Sequence, residues 1–176
     1  MNSMKRDLAV TSVVLGLVFL SGCNAFRAGK PLTESQRTKI EKQAKEGGYK
    51  LITPAELHEL VTARQNMILI DTTPSGHFRE HHILGATSYS FPNREALEPW
   101  DAKESGGKSP DDYKQQLGRD PGLTVIVYDE DGDSLRGNAA AAWGKRLGFV
   151  DVRRLAGGIA AWQAAGFETR SLREEQ

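Results

Sequence analysis

The chain has 176 residues, the size of one domain with a single core, and its 23 Lys and Arg are matched by 23 Asp and Glu. That balance excludes the basic footprint of a nucleic-acid-binding surface. With Cys23 as the one cysteine, a disulfide framework is excluded as well, so the fold depends on an ordinary hydrophobic core.

At the N-terminus, Lys5 and Arg6 precede an uncharged stretch from Leu8 to Leu20, closed by the small residues Ser21 and Gly22. This charged, apolar, small-residue order is that of a secretory signal. A helix over Leu8 to Leu20 is about 20 Å long, short of the roughly 30 Å hydrocarbon core, so a permanent membrane span is the weaker reading. Leu20-Ser21-Gly22-Cys23 resembles a bacterial lipobox. The resemblance implies a signal peptide over 1–22, cleavage before Cys23, and a diacylglycerol thioether on its sulfur; two or more acyl chains there give stable anchoring. The expected location is the bacterial cell envelope, lipid-anchored on the periplasmic side. Asn24 after the cysteine resembles sorting signals for the outer membrane.

Residues 23–48 read as a lipidated tether: polar, poor in aromatics, with Ile40 among the few large apolar residues. A short exposed helix ending at Gly47-Gly48 and a solvated tether are both compatible with this pattern, and either would space the fold from the bilayer. The globular pattern runs over 49–172. Tyr49 to Ile52 reads as a strand, and Thr53-Pro54-Ala55-Glu56 as a capped helix start leading to about Ala63. Met67 to Ile70 is a continuous apolar run ending at Asp71, the mark of a strand buried on both sides. After a turn-rich stretch, Ala86 to Ser90 reads as a further strand.

Asn93 to Gly122 is mostly polar, with a helix expected from Ser109-Pro110-Asp111-Asp112. Leu123 to Tyr128 is the second buried strand. It leads into the loop Asp129-Glu130-Asp131-Gly132-Asp133-Ser134-Leu135-Arg136 and a helix containing Ala139 to Leu147. A strand around Val150 to Leu155, the pair Gly157-Gly158 and a helix from Ile159 to Ala165 follow. Strands alternating with helices imply an α/β fold with an open, mainly parallel sheet flanked by helices. In such sheets ligands bind beyond the carboxyl ends of the strands, which puts the Asp129–Arg136 loop at the candidate site.

Three segments carry a family resemblance: Asp71 with His82-Ile83-Leu84-Gly85-Ala86, the strand and loop from Val125 to Arg136, and Gly148-Phe149 followed by Val152, Leu155, Gly157-Gly158, Trp162 and Gly166. Together they resemble the rhodanese (sulfurtransferase) homology domain. The resemblance implies a rhodanese-like fold, with Asp71, His82, Gly85, Gly157, Gly158 and Trp162 as its structural motif and His82 hydrogen-bonding the neighbouring backbone. Active members carry a catalytic cysteine directly after the strand, where its sulfur takes up a sulfane atom as a persulfide. Asp129 stands at that position. A carboxylate has no polarisable sulfur, so persulfide transfer there is excluded. Asp129 resembles instead the acidic residue of non-catalytic rhodanese halves. Glu130, Asp131 and Asp133 add charge of the same sign, each repelling an entering thiosulfate or phosphate by a few kcal/mol at about 4 to 6 Å before screening. His81 and Leu84 replace the usual glycine and proline of the motif.

The expected function is thus a non-catalytic, membrane-anchored binding or regulatory module without a cofactor, its partners being the membrane through the lipid anchor and a protein. The alternative is a sulfurtransferase-related enzyme using a partner's cysteine, or a cation-dependent activity at the acidic loop. Asp129, Asp131 and Asp133 alternate as in a calcium loop, but Ser134 and Ala140 occupy the positions that a full calcium motif gives to Gly and Glu. His77, His81 and His82 lack a further ligand to complete a zinc set. Ser134 lacks the glycine-flanked elbow of a nucleophilic serine. Trp143 and Trp162 read as core residues, and Trp100 as either the anchor of its long polar segment, the favoured reading, or an exposed contact for a partner.

Overall fold

The computed structural model describes residues 31–95 and 99–173, so the signal segment and Cys23 lie outside the described residues. No helix among the described residues is long and apolar enough to cross a membrane. Five strands form one sheet in the order β1-β5-β4-β2-β3, every pairing parallel. They are β1 (Lys50–Ile52), β2 (Met67–Asp71), β3 (Thr87–Ser88), β4 (Thr124–Tyr128) and β5 (Val152–Leu155). The central strand β4 pairs Val125 with Ile68 of β2 and with Val152 of β5. The two borders, β1 and β3, are the shortest strands.

Side chains on β4 alternate between two cores, as strand geometry requires. Val125 and Val127 pack under α1 (Glu34–Gly47), α4 (Pro110–Leu117) and α5 (Arg136–Arg146), together with Ala44, Tyr113, Leu117 and Ala140. Ile126 and Tyr128 face α2 (Pro54–Thr62) and α6 (Gly158–Ala164), with Leu57, Leu155 and Trp162. The helices on both faces explain why β2 and β4 read as unbroken apolar runs.

The helix starts follow their local chemistry. Thr53 and Glu56 form a reciprocal capping box ahead of α2, and Ser109 with Asp112 does the same for α4. A third box, Thr33 with Gln36, opens α1, and Gly48 closes it in the left-handed region. Short α3 (Ser75–Glu80) lies within the stretch expected to be turn-rich. The strand expected over Ala86 to Ser90 shrinks to β3, because its partner β2 ends at Asp71; the last bonds between them run from Tyr89 N to Asp71 O and from Phe91 N to Thr72 O.

The segment expected as an exposed helix or a solvated tether is a helix ending at Gly47-Gly48, as the first of those readings had it, but it is not exposed on all sides. α1 is packed onto α5, and Ile40 is only 1% exposed. The correction has a physical cause: α1 presents few apolar side chains, and polar Gln36, Lys39 and Gln43 turn inward to hydrogen-bond the fold. Trp100 packs edge-on against Trp143 at 4.9 Å and donates its indole N–H to Lys108 O, fixing the long polar segment to the domain.

Candidate functional site

β4 ends at Tyr128, so Asp129 emerges at the carboxyl edge of the sheet, where α5 and α6 both begin. It is fully buried. Its Oδ2 accepts hydrogen bonds from the backbone N–H of Gly137 at 2.9 Å and from Arg154 Nη2 at 2.8 Å. Its carbonyl accepts the N–H of Ile159 at 2.8 Å, tying the loop to α6. Burial pushes the carboxyl of Asp129 up to about 6, against the pull of Arg154 and the Gly137 amide, with Glu130 adding to the rise. At neutral pH the side chain is mainly a carboxylate.

Arg154 is fully buried too, an arginine in the interior of β5. It shares the face of Val152 and projects beneath α1 and α5. Besides Asp129, it donates to Ser134 O at 2.8 Å and, through Nη1, to Gln43 Oε1 of α1 at 2.9 Å. Such a pair persists in the interior only when its geometry and its additional hydrogen bonds offset the desolvation of two ions. The backbone has been kept bare around it. A Cβ on Gly137 would lie 2.7 Å from Asp129 Oδ2 and 2.9 Å from Arg154 Nε, and one on Gly158, whose φ is +61°, would collide with Asp129 O.

The remaining acidic side chains of the loop are engaged within the chain. Glu130 takes Arg136 Nε at 3.0 Å and the Ser134 hydroxyl at 2.8 Å. Asp131 Oδ1 accepts the N–H groups of Asp133 and Ser134, closing the turn. Asp133 receives Gln36 Nε2 at its carboxylate and Lys39 Nζ at its carbonyl. Leu135 N–H donates to Asn93 Oδ1, and an Arg136 Nη1 contact reaches Phe91 O. The expected alternation of Asp129, Asp131 and Asp133 as oxygen ligands does not converge. Asp129 turns inward to Arg154, while Asp131 and Asp133 are exposed. Among the described residues no group of three or more His, Cys, Asp or Glu is placed to hold a metal ion. Ser134 is buried and spends its hydroxyl on Glu130.

The mouth of the loop is covered by the chain itself. Gly132 is buried because Leu32 and Gln36 stand over it, and Leu32 also lies against Gly157. Two loops that would border an open cradle are thus closed by Leu32 and the first turn of α1.

The other motif residues are structural in their contacts. Asp71 is buried at the end of β2, its Oδ1 accepting Thr73 N–H, and burial raises its carboxyl above the usual carboxylate range. His82 is buried, with Nδ1 2.9 Å from Phe78 O and its backbone paired to Arg170. Gly85 lies in the turn closed by Ala86 N–H on Ile83 O. Trp162 is 2% exposed and donates to Glu168 O. Sequence reasoning overlooked Arg154, Gln43, Gln36, Leu32 and Gly137. The signal for Arg154 was present: an arginine two residues from Val152 in a short strand shares that residue's inward face.

Comparisons with known proteins agree with this architecture. The sequence pattern of the Rhodanese-like domain matches residues 53–165. Among curated proteins none matches the chain. A protein from Bacillus halodurans superimposes with a TM-score of 0.56 at 19% identity, covering 77% of this chain and 87% of its own. The polysulfide-sulfur transferase homodimer of Wolinella succinogenes gives 0.53 at 16% identity, with 81% and 94% covered. The 3-mercaptopyruvate sulfotransferase of Escherichia coli gives 0.53 at 20%, with 70% and 52% covered. At these identities the three structures share the fold, and the family match over most of the described chain supplies the rest: this protein belongs to the rhodanese-like domain family.

Proposed function

We propose that the protein is a non-catalytic rhodanese-like lipoprotein, a pseudoenzyme that acts as a membrane-anchored binding or regulatory module on the periplasmic side of a bacterial envelope. The observation that carries this reading is Asp129. Transfer of a sulfane atom needs a thiolate at the end of β4, and a carboxylate there can neither accept the atom nor release it. The donors that would steady a persulfide charge, the Gly137 N–H and Arg154, are already bound to Asp129. Residues 1–22 are read as the signal peptide and Cys23 as the lipid attachment point, on the lipobox-like order of Leu20-Ser21-Gly22-Cys23. Asn24 supports delivery to the outer membrane. The membrane is one partner through the anchor, and a protein the other.

A cyanide–thiosulfate assay on the full lipidated chain, in which Cys23 has no free thiol, tests the loss of transfer chemistry. No turnover above buffer is expected. Turnover would move the chain to the competing class, an enzyme working with a partner's cysteine or by a cation-dependent route.

A further inference from the structure

The sheet stops at β1, but the helix layers on its two faces reach past it. α1 on one face and α6 on the other border an open slot of about 510 Å³ along the free side of β1. That volume falls within the roughly 300–1,000 Å³ of small-ligand sites. The floor of the slot is Ile40 of α1 and Ile52 of β1, both buried. Leu32, Leu51 and Ala164 line it and are only half-buried, so part of their apolar surface stays open. At position 164 α6 presents a methyl group where a longer side chain would close the space.

The rim carries one charge of each sign. Arg37 and Glu41 both line the slot and lie one turn apart on α1, about 6 Å along its axis. Both are exposed, and among the described residues neither side chain makes an ion pair or a hydrogen bond. Their order on the helix explains why they do not pair with each other: an acidic residue four places before a basic one pairs better than the reverse, and here the basic residue comes first. Glu34, a turn before Arg37, and Lys45, a turn after Glu41, do not line the slot.

This arrangement selects among amphiphiles. A fatty acid would satisfy Arg37 and leave its carboxylate close to Glu41, and an alkylammonium would satisfy Glu41 and face Arg37, so each carries a repulsion that offsets its attraction. A zwitterionic head avoids both. In an ethanolamine phospholipid the phosphate and the ammonium are joined by two carbons, a short dipole that two flexible side chains one turn apart can bracket. A slot of this size holds a single acyl chain.

We propose that the slot beside β1 binds a single-chain zwitterionic phospholipid of the lysophosphatidylethanolamine class, its chain against Ile40 and Ile52, its phosphate at Arg37 and its ammonium at Glu41. Binding there requires neither lipidation of Cys23 nor chemistry at Asp129. The test uses the full chain with phosphatidylcholine vesicles doped with lysophosphatidylethanolamine that carries a diazirine at the end of its acyl chain. After irradiation, adducts are mapped by mass spectrometry. Saturable labelling of segments 51–54 and 156–164 is expected, reduced about ten-fold by Ala164→Trp, which fills the slot. Arg37→Ala and Glu41→Ala should each reduce it several-fold; both positions are exposed, so these variants decide the matter even if the tryptophan disturbs the fold. A fatty acid and an alkylamine bearing the same diazirine chain should label the two segments several-fold less at equal concentration. Equal labelling by all three head groups, labelling unchanged in both rim variants, or no adduct in the two segments overturns the proposal.

Discussion

Two buried ions, Asp129 and Arg154, face each other at the end of β4, and their energetics set the expectations for single substitutions. Asp129→Ala leaves a guanidinium that cannot deprotonate without a counter-charge in the interior, and should cost about 3–5 kcal/mol in urea denaturation. Asp129→Leu combined with Arg154→Met should recover most of that loss, because the desolvation of both ions is removed as well. If the double variant is no more stable than the single one, the pair is held for a reason other than charge compensation. The pH response follows from the raised carboxyl. Unfolded, Asp129 titrates near its ordinary 3.8; folded, near 6. Between these values the native chain holds a proton that the unfolded chain has released. The contribution of this residue to stability should therefore rise as pH falls from about 6 to 4, and be flat above. Asp71 is raised by burial and adds in the same direction, whereas Asp151, held well below the usual range by hydrogen bonds from Arg153 and Lys50, stabilises above its unfolded value and loses that contribution only in strong acid. Denaturation midpoints of the wild type and Asp129→Asn across this window check the slope. The variant should lack the Asp129 part. Little of this was legible beforehand: Asp129 could be placed at the cysteine position by the family pattern, but its partner lies 25 residues on, and no local signal joins them.

Among the elements, α1 carries the clearest expectation. Ile40→Ala removes a buried side chain from the α1 interface and should cost about 2–5 kcal/mol, with the whole domain unfolding in one transition. A separate early transition for α1 would show it to be an appendage. Gly137→Ala places a methyl 2.7 Å from Asp129 Oδ2 and should destabilise by about 1–3 kcal/mol through forced displacement of the pair. The strands β2 and β4 and the capped starts of α2 and α4 were readable because continuous apolar runs and capping boxes are local signals. α1 was misjudged for the converse reason. Its inward face is built from Gln36, Gln43 and Ala44 as much as from Ile40, so no apolar stripe marks the buried side. α3 has six residues, too few for a period to show.

For the molecule as a whole, zero formal charge conceals two uses of charge in the candidate loop: Asp129 is neutralised by distant Arg154 and Glu130 by neighbouring Arg136, whereas Asp131 and Asp133 stay exposed. Asp129→Cys should therefore yield a thiol that is chemically placed but physically closed. In a Cys23→Ser background, maleimide should label it only after denaturant is added. Rapid labelling of the folded protein would mean that the Leu32 cover opens readily. Finally, the two borders of the sheet are its briefest strands, β1 with three residues and β3 with two. At high local density a long bare edge would invite strand-to-strand growth between copies. A sheet that tapers on both sides offers few backbone donors and acceptors for such zippering, so crowding on a surface need not lead to aggregation.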